Sequence, residues 1–578
     1  MCGIAGIIGP LASEDRVRVM AQLLKHRGPD GAGVWGGPGV ALGHRRLAIL
    51  DLSDAGRQPM ELGPHVLTYN GELYNFVRLR ESVAGPLRSR SDTEVLLHLL
   101  ARDGAGCLEK LVGMFAFAVW DSGSRRLLAA RDRLGIKPFY YRPMPQGLAF
   151  ASELKALKGL GPERIDASAV RDFLTHGYIP APKTIYREIF KLPAGHLLRF
   201  ADGKVSIERY WDPSVEIVER SDQSALGELN DLLATVIPEH TLADVPVGVF
   251  LSGGIDSAVT AYYLHKPRTY TLGFDAQDRS EADAARAVAR HFGTIHSEMH
   301  ADGSGLATAL ERVSQTFDEP FGDSAAWSNY LISQSARREV TVALSGEGGD
   351  EIFCGYPRYW SHIGARSNSF NRSMARLAPP LSRFGQSMQS RAYTGLPAFA
   401  AALGGMNPVQ IEALLGPDWL EADYDYHWFY RRFWREGLDP KVQLRWLDLN
   451  TDLAEGLLTK VDRTSMAHSL EVRPPLLDHR LVEYMLSVDP KLLVDERSGR
   501  GKVLLRTLMQ PRLPPGHLDR PKSGFGLPLH RWIKRQPRIL DEAVTRLIDR
   551  GILRQRVSVE FRRAWYLLVL DRWLTDYA

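Results

Sequence analysis

Apolar and polar positions follow two different rhythms along this chain. As far as about Trp211, apolar residues come in short runs: GVALGHRRLAIL, HVLTYNG, MFAFAVWD, RRLLAARD, KPFYYRP, GLAFASE and HLLRFADGKVSIERYW. The runs are rich in aromatic or branched residues and are separated by Gly, Pro, Asp or Ser, which predicts strands joined by turns. Between them, RVRVMAQLLKHRG and SDTEVLLHLLARDG space their apolar residues by three and four, which predicts helices. The first half therefore reads as layered sheets with covering helices. The polar stretch that follows, DPSVEIVERSDQS, is the best linker candidate.

Beyond it the rhythm changes. DVPVGVFLSGGIDSAVTAYYLH reads as a buried strand, a Gly-rich turn and a helix. RTYTLGF and IHSEMHA are further strands, EADAARAVARHFG and SNYLISQSARRE are helices, and VTVALSGEGGDE is a strand ending in a second glycine turn. Alternating strands and helices imply a parallel sheet that binds ligands at the strand C-termini. After Tyr356 the pattern is mainly helical with Pro breaks, and no internal repeat is visible. The fold class expected is α/β, with one domain over 1–211 and a second over 212–578.

Composition narrows the class of function. A chain of 578 residues exceeds a single compact core, so two to four domains are expected. Lys+Arg total 72 against 68 Asp+Glu, and without a long basic block nucleic acid is not expected as a partner. The longest apolar stretches, such as LVGMFAFAVW, are too short to span a bilayer, so no membrane partner is expected either. The opening lacks the basic segment and apolar core of a secretory leader. Three cysteines, Cys2, Cys107 and Cys354, with no CxxC, argue against a disulfide framework or structural zinc and for a cytoplasmic protein.

The opening MCGIAGIIG has two readings. In one, Cys2 begins a buried strand and its sulfur is only a small hydrophobe. In the other, Met1 is removed, and Cys2 gains a free α-amine of pKa about 7.7–8.0. Such an amine can deprotonate the thiol and later return the proton.

Glycine turns elsewhere are more specific. GAGVWG, Gly31 to Gly36, satisfies G-x-G-x-x-G but follows HRGPD rather than a strand and leads into GPGVALG rather than a helix, so a loop is expected. SGGIDS, Ser252 to Ser257, does lie between a buried strand and a helix. Gly253 and Gly254 allow close approach of an anion, Ser252 and Ser257 can donate, and Asp256 suits a bound Mg²⁺. SGGxDS resembles the pyrophosphate-binding loop of enzymes that cleave ATP to AMP and pyrophosphate. SGEGGDE, Ser345 to Glu351, ends a strand of the same predicted sheet and can face the same crevice, adding Asp350 and Glu347.

Together these motifs resemble the glutamine-hydrolysing asparagine synthetases along nearly the whole chain. MCGIAG, HRGPDG, GHRRLAILDLS, QPM, YNGELYN, SDTEVLL, ARDRLGIKPFYY and ASELKAL are similar to the family's glutaminase domain. LSGGIDS, SGEGGDE, KVDRTSMAHSLEVRPPLLD and RPKSGFGLP are similar to its synthetase domain. The resemblance implies an N-terminal-nucleophile glutaminase of αββα layers, then a parallel-sheet ATP-pyrophosphatase domain with a helical extension. It implies Cys2 as nucleophile and Asn70 and Gly71 as oxyanion donors, one such donor being worth about 3–4 kcal/mol. It further implies Arg46 on the glutamine carboxylate, Glu72 and Asp92 around the α-ammonium, and backbone help from Arg46, Leu47, Ala48, Ile49 and Leu50. In the second domain it implies Leu251 and Leu272 at the adenosine and Ser345 and Gly346 as further nucleotide contacts. Glu347 would act in forming the acyl-adenylate and handling ammonia, Asp256 and Asp350 would hold Mg²⁺, and Lys460 and Lys502 are candidates to neutralise the phosphates.

The implied substrates are glutamine, aspartate and ATP. Cys2 would form a γ-glutamyl thioester and release ammonia, which attacks an acyl-AMP made at the second site. An alternative keeps this chemistry and changes the acceptor to another carboxylate, such as a cell-envelope sugar or peptide. Two departures near the acceptor side bear on that choice: Gly349 stands where the family often has Ala, and Cys354 where it often has Gly. The oligomeric state stays open, a homodimer being one option.

Overall fold

The computed structural model describes residues 2–273, 279–300, 305–361, 395–403, 405–520, 529–556 and 561–577. The first half contributes twelve strands. They are β1 (Gly3–Ile8), β2 (Gly31–Gly37), β3 (Val40–Arg46), β4 (Met60–Leu62), β5 (His65–Leu73) and β6 (Gly113–Asp121). Then come β7 (Arg126–Arg131), β8 (Tyr140–Met144), β9 (Gly147–Ala151), β10 (Phe190–Lys191), β11 (His196–Ala201) and β12 (Lys204–Arg209). They form two six-stranded sheets, in the orders β10-β8-β9-β1-β3-β2 and β12-β11-β7-β6-β5-β4.

Strand β1 explains why the opening is apolar on both faces. Ile4 and Ile8 point inward with Leu42, Ala116, Ala118 and Phe150, packing sheet on sheet. Ala5 and Ile7 point outward into a core with Val17 and Met20 of the helix Glu14–Leu23. Alternation with period two, both faces buried, yields an unbroken apolar run. The outer face of the second sheet packs Leu67, Tyr69 and Phe117 on Val95, Leu96 and Leu99 of the helix Asp92–Asp103. The layers are thus helix, sheet, sheet, helix, as the resemblance implies.

GAGVWG is not the loop expected. It is the edge strand β2, antiparallel to β3 from Gly31↔Arg46 to Gly37↔Val40. A Cβ on Gly33 would lie 2.0 Å from the Gln58 carbonyl oxygen. That glycine makes room for a neighbouring backbone, and no helix follows that could present a phosphate site.

No regular element occupies the stretch between β12 and the helix Asp222–Glu239. The second half then forms a five-stranded parallel sheet from β13 (Val247–Phe250), β14 (Arg268–Gly273), β15 (Ile295–His300), β16 (Val342–Leu344) and β17 (Glu471–Arg473), ordered β15-β14-β13-β16-β17. Strand order reverses between β13 and β16, which opens a crevice at their C-terminal ends. SGGIDS follows β13 and SGEGGDE follows β16. The third strand at that edge, β17, lies within the region expected to be helical.

The halves share a core. Ala5, Ile7, Tyr140, Ala149 and Phe173 belong to one continuous cluster with Leu310, Phe317, Trp327, Trp565 and Leu570. They are also joined by buried ions: Arg27 reaches Asp462 and Glu153 at 2.9 Å each, and Arg463 reaches Asp318 at 2.7 Å and Glu153 at 3.2 Å.

Candidate active sites

Two sites emerge, one in each half. At the first, the pairing of β1 with β3 sets Cys2 at the end of a strand and at the wall of a pocket. The pocket is also lined by Arg46, Leu47, Ile49, Leu50, Gly71, Glu72 and Asp92, with Gln58, Tyr69 and Thr93. Ala48 is turned away from the pocket, its N–H donating to Asp30 Oδ2 at 2.9 Å. That bond ties the Leu47–Leu50 segment to the HRGPD loop.

Cys2 is held from several sides. Its N–H donates to Asn70 Oδ1 at 2.9 Å, and its carbonyl accepts from Arg27 Nε at 3.1 Å. Burial pushes the thiol pKa up, while the Leu47 N–H and the Arg46 charge favour the thiolate. Asn70 is fully buried, and its Nδ2 finds no hydrogen-bond partner among the described residues. A buried, unpaired N–H₂ beside a thiol is a donor in want of an acceptor. Gly71 lets its strand close on β6, since a Cβ there would lie 2.3 Å from the Met114 carbonyl oxygen.

The carboxylates of this pocket are supported from behind. Asp92 Oδ2 accepts from Tyr69 Oη at 2.8 Å and from the Leu73 N–H at 3.0 Å. Burial raises its pKa to about 6 despite those donors. Glu72 Oε2 is 3.1 Å from Arg473 Nη2, a charge delivered from β17 of the other half. Arg46 is placed differently from a free anion clamp. Its Nη1 donates to the Ser53 carbonyl at 2.7 Å, and Nη2 donates to the carbonyls of Leu50 and Asp51. The guanidinium therefore shapes the pocket's rim loop as well as lining the pocket.

At the second site the two glycine turns meet. A Cβ on Gly346 would lie 2.7 Å from the Ser257 nitrogen, so the turns touch backbone to backbone. Gly253 adopts φ +75, and a Cβ there would lie 2.7 Å from the Ala284 Cβ, so only glycine suits both the conformation and the space. The Ser252 N–H donates to Ser257 Oγ, which donates to the Gly254 carbonyl, both at 3.1 Å, so the loop is braced internally ahead of the helix Ile255–Tyr262. Ser345 is buried at the end of β16, and its Oγ has no partner among the described residues. Leu251 and Leu272 are buried in separate clusters, on opposite faces of the parallel sheet.

The charged groups sort into two constellations. Lys502 Nζ lies 2.5 Å from Asp256 Oδ2 and 2.7 Å from Asp350 Oδ1. Burial works against that ammonium, but the two carboxylates hold its pKa above the ordinary value. Lys460, on the helix Leu458–Met466, instead pairs with Asp323 Oδ2 at 3.0 Å and acts electrostatically on Glu347. Burial raises the pKa of Glu347, and Lys460 opposes the rise. Sequence reasoning did not single out Asp323, Arg27, Tyr69 or Arg473. Arg27, Tyr69 and Arg473 lay inside quoted motifs, whereas Asp323 in FDEPFGDSA follows no spacing that marks a chemistry. All of RPKSGFGLP except Arg520 lies outside the described residues.

Among the described residues no group of three or more His, Cys, Asp or Glu could hold a metal ion. A pair of converging carboxylates remains, which is the usual protein share of a Mg²⁺ site completed by substrate phosphates. No helix among them is long and apolar enough to cross a membrane.

Comparison with known proteins matches both halves. The glutamine amidotransferase domain family matches residues 1–211 and the asparagine synthase family matches residues 228–575. A Mycobacterium tuberculosis protein, named provisionally as a glutamine-hydrolyzing asparagine synthetase, is 31% identical over 99% of this chain and 97% of its own. Asparagine synthetase (glutamine-hydrolyzing) 1 of Bacillus subtilis is 30% identical over 93% of this chain and 88% of its own. Amidase chry2 of Gibberella zeae is 26% identical over 92% of this chain and 90% of its own. Matching both families across nearly its whole length, this chain belongs to the asparagine synthase family and carries a glutamine amidotransferase domain.

Proposed function

We propose that the protein is a glutamine-hydrolysing asparagine synthetase, converting aspartate to asparagine through β-aspartyl-AMP with ammonia drawn from glutamine. The observation that carries the reading is the meeting of SGGIDS and SGEGGDE around Asp256, Asp350 and Lys502, in a chain whose other half holds Cys2 beside the unpaired Asn70 Nδ2.

In the first site, Cys2 attacks the glutamine amide, and Asn70 Nδ2 with the Gly71 N–H stabilises the oxyanion. With Met1 removed, the Cys2 amine would rest on Asn70 Oδ1 and serve as the base. Glu72 and Asp92 receive the substrate's α-ammonium, and Arg46 its carboxylate. In the second site, Ser252, Gly253, Gly254 and Ser257 cradle the pyrophosphate, while Ser345, Gly346 and the backbone at Leu251 and Leu272 bound the nucleotide. Asp256 and Asp350 are the residues that would hold Mg²⁺, which when bound offsets phosphate charge. Lys460 and Lys502 supply fixed positive charge, and Glu347 sits where an acyl group would meet ammonia.

The test is direct. Purified protein given glutamine, aspartate, Mg²⁺ and ATP is expected to form asparagine and AMP in equal amounts. Glutamate without asparagine, with AMP rising only once another carboxylate is added, would favour the second reading, in which that carboxylate is the acceptor. That reading is supported by Gly349, where a Cβ would lie 2.4 Å from Asp256 Oδ1, and by Cys354, fully buried at φ 57. Both set this chain's acceptor side apart from the common family pattern.

A further inference from the structure

Lys502 is built into its position by more than its two ion pairs. It precedes the helix Val503–Met509 with φ +60 and ψ 30, a left-handed conformation that non-glycine residues rarely adopt. That backbone turn sends the side chain back into the crevice, where it is 7% exposed. Two glycines clear the space around the ion cluster. A Cβ on Gly355 would lie 2.0 Å from Asp350 Oδ1 and 2.2 Å from Lys502 Cε, and one on Gly349 would lie 2.4 Å from Asp256 Oδ1. One ammonium thus draws two carboxylates from two different loops to a single point.

We propose that the Lys502 ammonium is a resident counter-ion that stands in the metal position of the free enzyme, so that a divalent cation enters only together with nucleotide. The proposal rests on the assignment of Asp256 and Asp350 to Mg²⁺ and adds an order to it. Two carboxylates held together without a cation would repel each other strongly in a crevice of low polarity. Lys502 removes that repulsion before any ligand arrives. A metal ion alone would have to expel the ammonium and leave it buried with no anion, which is strongly unfavourable. Nucleotide changes the balance, because its phosphates give the displaced ammonium a new partner. Metal and nucleotide then bind with positive coupling, which by linkage is the same in both directions.

The probe is Mn²⁺, followed by electron paramagnetic resonance on the full-length protein, with and without a non-hydrolysable α,β-methylene ATP analogue. Without nucleotide, wild type is expected to leave Mn²⁺ free, whereas Lys502→Met binds one Mn²⁺ at least about tenfold more tightly, the scale of a typical coupling. Lys502→Gln keeps hydrogen-bond donors to both carboxylates without the charge, and it should bind Mn²⁺ in the same way if the methionine variant is poorly folded. Adding Asp350→Asn to either variant should abolish the gain. If wild type binds Mn²⁺ alone as tightly as both Lys502 variants, the stand-in role is overturned while the metal assignment survives. If none of these proteins binds Mn²⁺ even with the analogue, the metal assignment itself fails and the proposal falls with it.

Discussion

Asn70 faces two ways, and its two ends can be tested separately. Oδ1 accepts the Cys2 N–H, while Nδ2 is buried and unpaired. Asn70→Asp keeps the acceptor and replaces the donor with an oxygen that repels an oxyanion. Glutamine hydrolysis is expected to lose roughly 10²–10³ in kcat in the variant that remains folded. Cys2→Ala should abolish glutamine-dependent synthesis and leave synthesis from ammonium salts, rising with pH as free ammonia increases. Loss of both activities in a folded variant would count against Cys2 as the glutaminase nucleophile alone. Asp92 sets a pH limit. Burial, helped by the Glu471 charge, lifts its pKa to about 6 against the pull of its Tyr69, Leu73 and Thr93 donors, so below that pH it is neutral and loses its hold on an α-ammonium. The kcat/KM for glutamine should therefore fall on the acid side near pH 6, and Asp92→Asn should flatten that limb while raising KM.

At the scale of elements, the helix Leu458–Met466 stands out. Lys460 meets Asp323, Asp462 meets Arg27 of the HRGPD loop, and Arg463 meets Asp318 and Glu153. Asp462 also lies 3.8 Å from the buried Lys137 Nζ. Asp462→Ala leaves two buried cations short of a partner and is expected to destabilise the protein by roughly 3 kcal/mol or more. Urea denaturation measures this, and a loss under about 1 kcal/mol, the size of an exposed pair, would show that the cluster is not needed for stability. Periodicity read the elements well where burial was apolar. It failed at β17, where Glu471, Val472 and Arg473 are all buried and the two charges pair with each other at 2.6 Å. A strand whose charges cancel internally has no apolar signature. It failed also at β2, where four glycines of GAGVWGG suggest a loop and cross-strand pairing overrides their propensity.

Across the molecule, motifs carried the chemistry that lies in a few contiguous residues, and tertiary structure carried the rest. SGGIDS could be read from the chain because glycines and serines between a buried strand and a helix have narrow uses, and Cys2 and Asn70 through the resemblance of MCGIAG and YNGELYN. The pairing of Lys502 with Asp256, 246 positions apart, could not. Nor could the supply of Arg473 to Glu72 across the boundary between the halves. Burial on this scale also sets an acid limit to stability. His44 and His176 are pushed down to about 3 and His240 to about 4 by desolvation. The unfolded chain protonates them near pH 6.5, while the folded protein keeps them neutral. The unfolded state therefore binds more protons as pH falls from 6.5 toward 4, and the apparent Tm should drop across that window. A flat Tm between pH 6.5 and 4.5 in scanning fluorimetry would contradict this.

The continuous core that joins the halves has a consequence for anyone who recombines them. Phe173 packs on Tyr566 at 5.5 Å and Tyr186 on Trp573 at 6.0 Å, ring to ring, between the first half and the helix Phe561–Tyr577. Residues 1–211 produced alone would lay these rings open to water, together with Glu153 stripped of Arg463, and should run as aggregates in size-exclusion chromatography. A monodisperse, glutamine-hydrolysing fragment would contradict that. The nitrogen-releasing half is therefore not an interchangeable cassette. A chimera cut at the linker inherits two half-cores from different parents, and it should work only when the partner helices Leu306–Phe317 and Phe561–Tyr577 travel with the glutaminase they were shaped to cover.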